Sequence, residues 1–252
     1  MNNLENRQFL RIGILQCVEV RPQFRQQHGD YDEMLINGLC RANAHFSYKV
    51  FRVFEGDLPN DIDDCDAWIT SGSKHSVNDH CEWTYALSRF VRQLAIRSKP
   101  YVGICYGMQM IAKALGGVVQ LSGAGWGVGV AANDVATAEP WMCPAADVVR
   151  LLISHKEQVT ILPKGARRLA GNTLCPNGII MWNRSMLGIQ GHPEFHLDYA
   201  KSLMDFRRDI IAPRRLAEGL SSLADEPDNE QVFDWIAGFF FWALKPKCTV
   251  LS

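Results

Sequence analysis

Apolar positions in the first half of the chain fall into short continuous runs, separated by longer stretches where they recur at helical spacing. Leu10 to Leu15 (LRIGIL), Tyr48 to Phe54 (YKVFRVF), Ala67 to Thr70 (AWIT), Tyr101 to Ile104 (YVGI) and Val118 to Leu121 (VVQL) read as strands. Tyr31 to Ala44, Glu82 to Arg97 and Gly107 to Leu115 read as helices. Strand and helix alternating in this order predict right-handed crossovers and an α/β fold: a doubly wound, mainly parallel sheet with helices on both faces.

From about Gly125 to Gln190 the texture changes. Short β-like pieces, Val148 to Ile153, Gly178 to Trp182 and Leu187 to Gln190, are separated by turns such as Leu162-Pro163-Lys164-Gly165 and Cys175-Pro176-Asn177-Gly178. They predict a small antiparallel β flank on the same domain. Two helical patterns, Leu197 to Ile211 and Gln231 to Leu244, close the chain. The second contains the most apolar segment, Phe233 to Leu244, far short of the roughly 20 residues that a spanning helix needs. It reads as a helix packed on the core. A partner-binding face is the alternative, because Trp235, Phe239 and Trp242 can share one side at helical spacing.

Composition narrows the class. The 252 residues are 47% hydrophobic and 21% charged, with a formal net charge of -1. That excludes a disordered chain and gives no reason to expect a nucleic acid or an anionic membrane as partner. The cysteines (Cys17, Cys40, Cys65, Cys81, Cys105, Cys143, Cys175 and Cys248) include no C-x-x-C pair, which argues against a zinc ribbon or a redox motif. The N-terminus, MNNLENRQF, lacks a basic region followed by an apolar stretch, so a cytoplasmic chain with reduced thiols is expected. The question becomes which cysteine differs from the rest.

Cys105 does. An apolar strand ends directly before it and a helical pattern starts directly after it, with glycines at 103 and 107. This is a cysteine version of the nucleophile elbow, in which flanking glycines remove the Cβ atoms that a tight strand-to-helix turn would crowd. Such a turn exposes the sulfur at a helix N-terminus, where the dipole favours a thiolate and free N–H groups can bind an oxyanion. A thiol nucleophile needs a base, and the base needs an orienting group. The segment Leu187-Gly-Ile-Gln-Gly-His192-Pro-Glu194-Phe195 offers both. Pro193 biases His192 away from helical angles, so the segment is expected to be extended, with Glu194 beside the imidazole.

Other clusters carry less. His75, His80 and Cys81 lie close together but lack a fourth ligand at recognisable spacing, so no metal is expected. The glycines of Gly123 to Gly129 do not satisfy G-x-G-x-x-G, and a turn is the better reading. Arg207, Arg208, Arg214 and Arg215 form the basic cluster FRRDIIAPRR, which reads as a solvated helix face.

GICYGMQ and GIQGHPEF resemble the two catalytic motifs of class I, triad-type glutamine amidotransferase domains, as in the glutaminase part of GMP synthase. The resemblance runs from about Ile12 to Leu203. It includes Ile69-Thr-Ser-Gly-Ser73, similar to the family's Ser-Gly-Gly oxyanion strand, and Ser154-His-Lys-Glu-Gln-Val159, similar to its Ser-His-x-Asp-x-Val stretch. It implies a flavodoxin-like fold over one domain spanning 1–252, with a helical extension from 204. It also implies a γ-glutamyl thioester, release of ammonia or an amine, and no cofactor. By matching position it makes Cys105 the nucleophile, His192 the base and acid, and Glu194 the orienter. The backbone N–H groups of Ser73 and Tyr106 would form the oxyanion hole. Gly72, Gln109 and Trp126 would border the substrate.

Ser73 and Lys74 depart from the family's usual Gly-Pro, which bears on the oxyanion loop. The chain also shows no ammonia-accepting domain after Glu194. The first expectation is therefore a glutaminase serving a separate synthase. The alternative is a stand-alone hydrolase of γ-glutamyl peptides or conjugates, since the motifs are similar to a GMP-synthase-like branch that includes γ-glutamyl peptidases. A non-catalytic binder of glutamine-like ligands is a third reading.

Overall fold

The computed structural model describes residues 9–43 and 45–246. The first half runs β1 (Leu10–Gln16), α1 (Pro22–His28), α2 (Tyr31–Ala42), β2 (Phe46–Arg52), β3 (Ala67–Thr70), α3 (Glu82–Ile96), β4 (Tyr101–Ile104) and α4 (Tyr106–Ala114). Strands then dominate: β5 (Val118–Leu121), β6 (Gly127–Val135), β7 (Val148–His155), β8 (Glu157–Ile161), β9 (Ala166–Gly171), β10 (Ile179–Trp182) and β11 (Met186–Ile189). Three helices follow, α5 (Leu197–Phe206), α6 (Pro213–Ser221) and α7 (Asn229–Leu244).

Nine strands form one sheet in the order β2-β1-β3-β4-β11-β10-β9-β6-β7, and β5 pairs with β8 in a separate two-stranded sheet. The pairs from β2 to β11 are parallel, and those from β11 to β7 are antiparallel. The doubly wound α/β arrangement is present, with two changes of membership. β11, expected in the antiparallel flank, lies beside β4 in parallel register, with Ile104 opposite Ile189. All four of its residues are buried, as in β3 and β4, which marks a strand covered on both faces. β5, expected in the parallel sheet, buries only Val119 fully and pairs instead with β8 in a one-sided antiparallel two-stranded sheet. The antiparallel strands β10, β9, β6 and β7 extend the main sheet.

Parallel strands put their carboxyl ends at one edge, so the residues after β1, β3, β4 and β11 converge there. The elements that frame this edge have local causes. Asp30 caps α2 in a capping box with Glu33. On the far side, Phe233 of α7 packs over Gly38 of α2, where any Cβ would lie 2.1 Å from its ring. Trp235 and Phe239 are buried, and Trp242 lies under the Arg184 guanidinium at 4.0 Å. The aromatic residues of α7 therefore belong to the core and to intramolecular contacts. Among the described residues, no helix is long and apolar enough to cross a membrane.

Candidate active site

β4 ends at Ile104, α4 begins at Tyr106, and Cys105 makes the turn with φ 48° and ψ -95°. This conformation is costly for a residue with a Cβ, on the order of 1–3 kcal/mol, and persists only where surrounding structure imposes it. The imposing contacts are visible. Cys105 N–H donates to Ile189 O at 2.7 Å, and Cys105 O accepts from Gln109 N–H at 3.0 Å. A Cβ on Gly103 would lie 2.3 Å from the Gly107 carbonyl carbon, and one on Gly107 would lie 2.9 Å from Thr70 O. Strand and helix thus touch through bare backbone, as the spacing of the two glycines implies.

β11 leads into His192, whose N–H donates to Leu152 O at 2.7 Å. The segment after it is not extended as expected. Pro193 and Glu194 form a turn closed by Phe195 N–H donating to His192 O at 3.3 Å, because proline presets the first turn position. The side chains still meet: His192 Nδ1–H donates to Glu194 Oε1 at 2.8 Å. Phe195 stacks on the imidazole with centroids 3.9 Å apart and planes 10° apart, fixing the ring's orientation. With Nδ1 committed to Glu194, Nε2 is the nitrogen left for Cys105. Burial alone would lower the His192 pKa, but the Glu194 carboxylate and Cys105 outweigh it and push it up to about 10. An imidazolium held this way can stabilise a thiolate and later deliver a proton to a leaving group.

Gln190, which lies inside the GIQGHPEF motif but is not singled out from sequence, joins the site. Its Nε2 donates to Cys105 Sγ at 3.3 Å, and its Oε1 accepts from Gln109 Nε2 at 3.3 Å. Gln109 Nε2 also donates to Glu157 O at 2.8 Å, which leaves its carbonyl oxygen as the end that a substrate could meet. The other sequence-selected residues gather around the same point. Cys105, Ser73, Gln109 and Trp126 line one cavity of about 290 Å³. Gly72 backs onto the imidazole, since a Cβ there would lie 2.7 Å from His192 Cε1. Tyr106 turns its side chain away, with its hydroxyl 3.2 Å from Thr84 Oγ1, so only its backbone is available to the site.

The loop that departs from Gly-Pro is pinned by the residue that replaces glycine. Ser73 Oγ donates to Cys17 O at 3.1 Å and accepts from His75 N–H at 3.2 Å. His75 itself lies 3.6 Å from Asp79 and meets Trp83 edge to face, while His80 meets the Tyr85 hydroxyl. Among the described residues, no group of three His, Cys, Asp or Glu side chains is arranged to hold a metal ion.

The other cysteines differ in environment. Burial pushes the thiols of Cys65 and Cys175 up to about 11 and about 12, and Cys17 higher still, which keeps them neutral. The seven described cysteines are free thiols, and Cys248 lies outside the described residues.

A second buried histidine sits beside the site. His155 ends β7, lines the Cys105 cavity, and leaves its buried Nδ1 without a partner. Burial and the charge of His192 push its pKa down to about 4. An unfolded-chain histidine titrates near 6.5. The native state therefore loses stability as pH falls from about 6.5 through about 4, by on the order of 3 kcal/mol. His192, with a raised folded value, contributes stability that is full below about 6.5 and is lost as pH rises through about 10. His155→Gln is expected to flatten the acid limb. In urea titrations at pH 7 and pH 4.5, the variant should lose less stability than wild type between the two, and equal losses would refute the assignment.

The fold and this site together define a class. A family model described as glutamine amidotransferase class-I matches residues 27–208, and the chain belongs to that family. Among curated relatives, it is 26% identical over 190 residues to gamma-glutamyl peptidase 4 of Arabidopsis thaliana, covering 72% of this chain and 74% of that protein. It is 32% identical over 96 residues to a glutamine-hydrolyzing GMP synthase subunit of Methanoculleus marisnigri, covering 38% of this chain and 52% of that one. Among solved structures, a glutamine amido transferase from Methylobacillus flagellatus superposes with a TM-score of 0.72 at 20% identity, covering 95% of this chain and 97% of that one.

Proposed function

We propose that the chain hydrolyses a γ-glutamyl amide bond through a thioester on Cys105. The observation that carries this reading is the imidazole of His192, held by Glu194 on one nitrogen and presented to Cys105 on the other at the carboxyl edge of the sheet. Cys105 Sγ adds to the γ-carbonyl carbon, and the resulting oxyanion is met by the N–H groups of Ser73 and Tyr106. The C–N bond then breaks as His192 gives its proton to the departing nitrogen. Water, deprotonated by the now neutral His192, attacks the thioester and releases glutamate and the thiol. No step requires a metal or an organic cofactor.

What leaves is the finer question. Likeness to the GMP synthase relative favours ammonia from glutamine for a separate synthase. Likeness to the gamma-glutamyl peptidases extends over a larger share of the chain and favours an amino acid or peptide as leaving group. The deciding measurement is a product assay on the purified chain with glutamine and with γ-glutamyl dipeptides. Amino-acid release from the dipeptides at a higher kcat/KM than ammonia release from glutamine supports the peptidase reading. The reverse order supports the amidotransferase reading.

A further inference from the structure

The basic cluster read from sequence as a solvated helix face splits in the structure. Arg208 pairs with Asp205, and Arg214 and Arg215 pair with Glu218, all at the surface. Arg207 does not belong with them. α5 ends at Phe206, and as the capping residue Arg207 turns inward. It donates to Ser154 Oγ at 2.5 Å and lies 5.1 Å from the Trp126 ring centre. It makes no ion pair with a carboxylate among the described residues. Arg21 is alike, with its guanidinium 4.2 Å from the Phe206 ring centre, and Lys74 is the third unpaired cation here.

All three line the cavity that holds Cys105. They also line a small adjoining recess whose back wall is His192, Phe195 and Tyr199. The carboxylates on this wall are already engaged: Glu19 with Arg25 and Arg52, and Asp79 with the Ser76 N–H. Glu157 also lines the cavity; its backbone carbonyl holds Gln109, and among the described residues its carboxylate makes no ion pair with Arg21, Lys74 or Arg207. Two half-buried guanidiniums side by side without a counter-ion are an unbalanced arrangement that an anion would relieve.

Resting on the γ-glutamyl hydrolase reading, the geometry points to Arg207, supported by Arg21 and Lys74, as the anchor for a carboxylate on the leaving amine. His192 must protonate the departing nitrogen, so the leaving group lies on the His192 side of Cys105, where the recess and the three cations are. Ammonia offers a positive wall no anion to hold. An amino acid joined through its α-nitrogen carries a carboxylate two bonds from the scissile nitrogen. The substrate class is then a γ-glutamyl amino acid or short γ-glutamyl peptide, preferred over glutamine.

The test compares γ-glutamylglycine with γ-glutamylmethylamide, which has the same glutamyl group and a neutral leaving amine. Wild type should favour γ-glutamylglycine in kcat/KM. Arg207→Gln should lower kcat/KM for γ-glutamylglycine by about 10–100-fold, chiefly through KM, and that for the methylamide by less than about threefold. Arg207→Lys should recover part of the loss. Because both substrates are read on one variant, a general fold defect would not change their ratio. Equal losses on the two would place Arg207 on the glutamyl carboxylate and overturn the leaving-group anchor while leaving the hydrolase reading intact. Cleavage of neither by wild type would overturn both.

Discussion

Replacing Cys105 by alanine is expected to lower kcat for any γ-glutamyl substrate by about 10⁴-fold or more, because the proposed thioester forms on this sulfur and no neighbour can replace it. Cys17 and Cys175 are buried, and burial keeps their thiols protonated. The stability of the variants gives the second half of the prediction. Cys105 is held at φ 48° and ψ -95°, which alanine tolerates no better than cysteine and glycine tolerates freely. Cys105→Gly should therefore be as inactive as Cys105→Ala and more stable than it by about 1 kcal/mol. Steady-state kinetics and urea midpoints of the two variants check both parts. Retained turnover in either would refute the thioester mechanism, and equal stabilities would refute the strain.

A large structural effect is expected at Gly103. Its Cβ would fall 2.3 Å from the carbonyl carbon of Gly107, 2.4 Å from the oxygen and 2.6 Å from the Met108 nitrogen, all backbone atoms of α4. No rotamer change can make room, so the helix must lift from the strand that carries it. Gly103→Ala is expected to cost about 3–5 kcal/mol, the range of the severest single substitutions. Gly107→Ala should cost less, since its Cβ would meet Thr70 Cβ and O at 2.9 Å and a shift of a few tenths of an ångström relieves the contact. Denaturant titrations that place Gly103→Ala within about 1 kcal/mol of wild type, or reverse the order, would contradict the close approach of β4 and α4.

The two variants also show why this part of the molecule is legible in sequence. The elbow is local: an apolar run, a cysteine between two glycines, and a helical pattern all lie within fifteen positions, Tyr101 to Leu115. The His192–Glu194 contact is equally local, and it forms even though the intervening backbone turns. Elements escape the sequence where burial gives no periodic signal. α1 buries none of its residues fully, and β6 mixes apolar and polar positions without clean alternation. β5 and β11 are recognisable as strands, but short apolar runs do not reveal which neighbour they pair with.

The residues that sequence undervalues act across long separations. Gln190 reaches Cys105, and Arg207 reaches Ser154, only after β11 and α5 have been placed by the sheet. FRRDIIAPRR reads as one charged surface because a string of letters cannot show that the helix stops one residue before Arg207. A stronger hint exists for Gln190, which immediately precedes the Gly-His-Pro-Glu run. For Arg207 the sequence holds none, since its partners Trp126 and Ser154 lie on other elements.

Cys105 and His192 are distant in sequence, yet β4 and β11 are adjacent strands and Cys105 N–H bonds directly to Ile189 O. The proposed nucleophile and base are thus joined by a single rung of the most deeply buried part of the sheet. Local opening of the exposed helices or of the two-stranded β5–β8 sheet leaves that rung intact, whereas parting it means dissolving the centre of the molecule. Misalignment of nucleophile and base is therefore not a low-energy excursion, and catalytic competence should be as cooperative a property of this chain as folding itself.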